Sequence, residues 1–125
     1  MLVSPLSVSK TKSSKFILNL NTYRNTHYQT LNNVKKNYKQ WMISQIENLP
    51  FIDVPVSITF TLFPKSKRRT DLTNVLSIHD KFFCDALVEL GKLEDDDYYW
   101  IPEVIYKFGC VDKENPRVEI LIIEY

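Results

Sequence analysis

The sequence has no long apolar run, no marked excess of either charge, and only two cysteines. Each shortage excludes something. A membrane-spanning helix needs about 18 or more consecutive apolar residues, and none occurs. The opening stretch, MLVSPLSVSKTKSSKF, lacks the apolar core of a signal peptide. The expected location is therefore the cytoplasm. Sixteen Lys and Arg against 15 Asp and Glu give a net charge of +1. That argues against nucleic-acid binding by bulk charge and leaves room for a local basic patch. Cys84 and Cys110 form no Cys-x-x-Cys pair, so free thiols in a reducing compartment are expected. His27 and His79 lie far apart and make no HExxH spacing. His27 reads as a loop residue and His79 as a partly buried helix residue. There is no internal repeat and no sign of a second domain, and no organic cofactor is expected.

What remains is an ordinary foldable chain. Its 125 residues are 44% hydrophobic and 25% charged, which fits a single domain over 1–125. A chain this small buries a limited share of its surface, a limit that a dimer would relieve. Residues 1–14, rich in Ser and Lys, read as a loose N-terminal arm. Phe16, Leu18 and Leu20 alternate with Ile17 and Asn19, as in a short strand. Asn21 to His27 reads as a loop. From Tyr28 to Leu49, Leu31, Val34, Tyr38, Trp41, Met42, Ile46 and Leu49 recur at steps of three and four. That spacing predicts a long amphipathic helix ended by Pro50.

Val56, Ile58, Phe60 and Leu62 alternate with Ser57, Thr59 and Thr61, a strand stopped by Pro64. A second helix is predicted from Asp71 or Thr73 to about Leu90, with Gly91 as its stop. Val104, Tyr106 and Phe108 mark another strand. Val118 to Tyr125 is nearly all apolar, as in a strand buried on both faces. The intervening VDKENP reads as a hairpin loop. The order is strand, helix, strand, helix, strand, strand. The fold class is α+β, a four-stranded mixed sheet with two packed helices.

Four chemically pointed features lie close together. A basic loop holds Lys65, Lys67, Arg68 and Arg69. Asp71 opens the second helix, Lys81 lies on it, and Glu94-Asp95-Asp96-Asp97 follows it. Carboxylates beside cations suit phosphodiester hydrolysis. Mg²⁺ prefers oxygen ligands, polarises phosphate and activates water, while Lys and Arg hold backbone phosphates. Against this, an Asp at a helix start is usually a cap, and an acidic triplet is usually a solvated loop. Tyr98, Tyr99 and Trp100 offer base stacking, but the preferred reading starts a strand there and packs it in the core. Cys84 reads as packing.

In order, Arg68-Arg69, Asp71-Leu72-Thr73-Asn74, Lys81 before Asp85-Ala86-Leu87, Gly91 and Asp95-Asp96 resemble the RusA family of Holliday junction resolvases. The early LNLNTYRN, with Asn21, Tyr23 and Arg24, resembles the loop after that family's first strand. The resemblance spans most of the chain. It implies a homodimer that binds branched, four-way DNA and nicks it at symmetric positions with Mg²⁺, or Mn²⁺ in its place. By position it implies that Asp71 and Asp96 share a metal, that Lys81 contacts the scissile phosphate, and that Arg24 and the basic loop bind DNA. The family is frequent in phage, which would put the protein in a host cytoplasm and give it a role in processing replicated DNA.

One departure stands out. Thr73 occupies the place of the family's second carboxylate, and the gap from Asp71 to Asp85 is longer by roughly one helical turn. Asp80 lies in that extra stretch, seven residues or about two turns after Thr73, so the two point the same way. Asp80 is therefore a candidate third metal ligand, balanced against an exposed helix Asp. Two alternatives to an active nuclease stay open: a junction-binding dimer with impaired catalysis, and a structural or interaction protein of the same fold.

Overall fold

The protein is described by a computed structural model of residues 1–125. Nine elements run in the order β1 (Leu2–Ser4), β2 (Ser7–Ser9), β3 (Lys15–Ile17), α1 (Leu20–Arg24), α2 (Tyr28–Glu47), β4 (Val56–Phe63), α3 (Leu72–Glu89), β5 (Glu103–Phe108) and β6 (Arg117–Glu124). The main sheet has four strands in the order β1-β6-β4-β5, and β2 and β3 form a separate two-stranded hairpin. β4 and β5 are parallel, joined through α3, and β6 is antiparallel to both its neighbours. This is the expected α+β class with a mixed four-stranded sheet, carrying one short helix more than expected. No helix is long and apolar enough to cross a membrane.

The two long helices form where the apolar periodicity lies. In α2 the side chains Val34, Tyr38, Met42 and Ile46, four residues apart, are fully buried. His27 caps its start, accepting a hydrogen bond from the Gln29 backbone N–H. In α3 the buried stripe runs through Leu76, His79, Phe82, Phe83, Ala86 and Leu87. Its start is capped by Asp71, whose Oδ1 accepts from the Thr73 N–H at 3.0 Å. Gly91 ends it at φ +76°, a left-handed conformation that suits glycine. α3 packs over β4 and β5, and α2 over β1 and β2. Between helices and sheet, Val56, Ile58, Phe60 and Leu62 of β4 are buried, as their alternation predicts.

Several expectations need correction. Residues 1–14 are not a loose arm: β1 pairs with β6, and β2 pairs with β3. The strand expected over Phe16–Leu20 is shorter and lies outside the main sheet. The loop expected after it contains α1, capped by Asn19 accepting from the Thr22 N–H at 2.8 Å. VDKENP does not close a hairpin, because β4 separates β5 from β6. A strand that returns through α3 runs parallel to β4, so the next segment must pass the end of β4 to reach its other side. Arg117 secures that passage. It bonds Asp112 at 2.7 Å and Glu119 at 2.9 Å, and lies 4.1 Å from the Phe63 ring centre. Nor is β6 buried on both faces: Val118 and Ile120 are buried, but Leu121 is 41% and Ile123 52% exposed on the side away from the helices.

One buried polar chain ties three elements together. Ser4 of β1 hydrogen-bonds the Tyr38 hydroxyl of α2 at 2.8 Å and the His79 Nδ1 of α3 at 2.7 Å. His79, expected to be partly buried, is wholly buried, and its Nε2 has no partner.

Candidate functional site

The chemistry gathers in the groove between α3 and the edge strand β5. Residues three and four apart share a helix face, so Ser77, Asp80, Lys81 and Cys84 turn toward the same side. With Asp96, Ile101 and Val104 they line a cavity of about 390 Å³. Asp80 is held from two sides. The Tyr106 hydroxyl of β5 donates to Oδ2 at 2.8 Å, and the Cys84 thiol donates to Oδ1 at 3.3 Å. Each carboxylate oxygen keeps a further lone pair for a ligand. Burial, with Asp80 adding to it, pushes both the Tyr106 hydroxyl and the Cys84 thiol up, so both stay protonated donors. The Ser77 hydroxyl oxygen, in the same cavity, is buried without a partner.

Asp96 arrives from the loop after α3. Its carboxyl is raised above the usual carboxylate range, first by partial desolvation and further by the charges of Asp85 and Asp95. A cation bound there would relieve that crowding. The donor set is two carboxylates and a hydroxyl, all hard oxygens. That fits Mg²⁺, which takes one or two carboxylates and completes its shell with water and phosphate. No group of three or more His, Cys, Asp or Glu is arranged around one point.

Asp71 lies elsewhere. It lines a separate cavity of about 310 Å³ with Leu20, Asn21, Arg24, Thr73 and Asn74. The Asn21 N–H donates to Asn74 Oδ1 at 3.3 Å, which joins α1 to α3. From Asp71 to Asp80 the helix rises about 13 Å. The fold therefore brings Asp80, Lys81 and Asp96 together, and sets Asp71, Thr73 and Arg24 together about two turns away. Asp71 and Asp96, expected to share a metal, line separate cavities. Asp80 is half-buried inside the site, not an exposed helix residue.

The basic loop flanks the groove at the other end of β5. Lys67, Arg68 and Arg69 line one cavity there, and Lys65 an adjoining one. None of these four cations, nor Lys81 or Arg24, has a carboxylate within 4.0 Å; the ion pairs present use Lys35, Lys39 and Arg117. Tyr98 and Tyr99 do not start a core strand. They stand 87% and 63% exposed in a turn that Asp97 organises through the Tyr99 and Trp100 N–H groups. Cys84 is buried as expected, with the added bond to Asp80. Sequence reasoning missed Ser77 and Tyr106. Ser77 was within reach of helical spacing, one turn before Asp80. Tyr106 was not, because its approach to Asp80 depends on β5 pairing parallel beside β4.

Compared with known proteins, the chain matches no family model and no curated relative.

Proposed function

We propose that this protein is a metal-dependent endonuclease acting on branched DNA, of the kind the RusA resemblance implies. The observation that carries the reading is one cavity holding Asp80, Asp96 and Lys81, flanked by a loop of four unpaired cations. Asp80 and Asp96 would hold Mg²⁺ or Mn²⁺, with Ser77 within the same cavity. The ion would supply the charge that stabilises the phosphoryl oxygens during hydrolysis. Lys81 neutralises the phosphate at the site, and Tyr106 and Cys84 fix the Asp80 carboxylate in place. Lys65, Lys67, Arg68 and Arg69 hold flanking phosphates, and Arg24 beside Asp71 extends the contact along α1. Asp80, about two turns further along α3, would supply the carboxylate that Thr73 lacks in the family pattern.

Paired cuts across a four-way junction call for two sites related by a two-fold axis, hence a homodimer. The open face of the sheet supports this. Ile105, Thr59 and Leu121 share one cross-strand row, with Lys107, Thr61 and Glu119 in the next. A two-fold axis along β4 would set Lys107 against Glu119 of a second copy. One observation favours the alternative of a junction-binding dimer without catalysis: only two carboxylates line the cavity.

The test is cleavage of a four-way junction in Mg²⁺ by the wild type and by Asp80→Asn, Asp96→Asn and Asp71→Asn. Wild-type cutting, lost in the first two variants with binding retained, supports the nuclease. Binding without cutting by the wild type selects the binding dimer. Loss of cutting in Asp71→Asn alone moves the active site to the start of α3.

A further inference from the structure

The cavity beneath the basic loop differs in kind from the carboxylate groove. It encloses about 380 Å³ and is lined by Leu62, Pro64, Leu72, Phe108 and Val111 below and by Lys67, Arg68 and Arg69 at its rim, with no acidic residue. Phe108 is 58% exposed, although its register partner Leu62 is only 3% exposed. The difference follows from the fold. Both side chains lie on the helix side of the sheet, but β5 is the edge strand and α3 begins only at Leu72. The Phe108 ring is therefore left uncovered beside three cations that have no carboxylate partner.

A flat apolar ring beside guanidinium groups matches a ligand with a flat apolar part and an attached anion. We propose that this cavity binds an unpaired nucleotide, the base stacked on Phe108 and its phosphate held by Arg68 and Arg69. The proposal rests on the DNA reading above and extends it. A paired base hides both its faces in the stack, so a duplex offers only phosphates here, whereas a strand opened at a branch offers a base. Charge complementarity and the aromatic platform together select a nucleotide over an acidic peptide, which has the charge without the ring.

The experiment uses the full chain with EDTA present to prevent cutting. Oligothymidylate binding is measured for the wild type, Phe108→Ala and Phe108→Tyr, and quenching of indole fluorescence is followed in Phe108→Trp against the wild-type background of Trp41 and Trp100. Phe108→Ala should weaken oligothymidylate binding about tenfold or more, with closed-hairpin duplex binding unchanged and Phe108→Tyr near wild type. Phe108→Trp should be quenched by oligothymidylate and not by polyglutamate. Thermal melting checks that each variant is folded. Equal binding by wild type and Phe108→Ala, or equal quenching by duplex or polyglutamate, overturns the nucleotide site and leaves the nuclease standing. Failure of the wild type to bind any DNA overturns both.

Discussion

Replacing His79 by leucine should flatten the acid sensitivity of the fold. His79 is fully buried, and burial alone lowers its pKa from the usual 6.5 to about 3. The folded protein therefore keeps it neutral, whereas the unfolded chain protonates it below pH 6.5. Stability from this group is fully present above pH 6.5 and is lost as pH falls toward 3, because protons favour the unfolded state throughout that window. Each pH unit is worth about 1.4 kcal/mol. From pH 7 to pH 5 the loss is then about 2 kcal/mol. That figure holds for any folded pKa well below 5, so it does not depend on how far below the group lies. Protonation of carboxylates adds its own slope, which the variant shares, so the quantity to measure is a difference. Urea unfolding of wild type and His79→Leu at pH 7, 6 and 5 gives it. Leucine loses the bond to Ser4, which costs about 1 kcal/mol at pH 7, while Ser4 keeps its bond to Tyr38. The gap between the two proteins should close or reverse by pH 5. Parallel stability curves across this range would refute the assignment of a neutral buried imidazole.

Two further outcomes follow from the groove. Tyr106→Phe removes the hydroxyl that donates to Asp80 at 2.8 Å. It should leave folding and junction binding unchanged and lower kcat, not raise KM, by about tenfold; an unchanged kcat would show that this bond positions nothing. Arg68→Ala combined with Arg69→Ala should weaken binding across DNA sequences and flatten its dependence on salt. A salt slope equal to that of the wild type would make the loop a solvated turn.

The long elements were legible because their signals are local. The four-residue recurrence through Val34, Tyr38, Met42 and Ile46 needs no tertiary partner to be read, and neither does the alternation of β4 or the glycine stop after α3. What failed was pairing. The short strands β1 and β2 carry little periodicity, and their place comes from partners over a hundred residues away in one case and across a turn in the other. The exposed outer face of β6 was unreadable because Leu121 and Ile123 are as apolar as the buried Val118 and Ile120. The site divided the same way. Asp80, Lys81 and Asp96 could be named from sequence, since two lie on one helix and the third follows it. That they line a cavity apart from Asp71 follows from the rise of α3, which sets its capping residue nine positions before Asp80. The bond from Tyr106 to Asp80 and the exposure of Phe108 both come from the edge position of β5.

The place of β6 bears on how the chain comes together. It is the last element in sequence, yet it sits inside the sheet, flanked by the first strand on one side and β4 on the other. During synthesis α2, β4 and α3 can begin to pack as they emerge, but β1 has no sheet partner until residues 117–124 appear. β1 and β6, more than a hundred residues apart, must then be gathered in one long-range step, which slows folding. Until that moment the edge of β4 that β6 will occupy presents unpaired backbone N–H and C=O groups, which invite pairing with another unfinished chain. Refolding yield should therefore fall with protein concentration more steeply than the small size of the domain suggests.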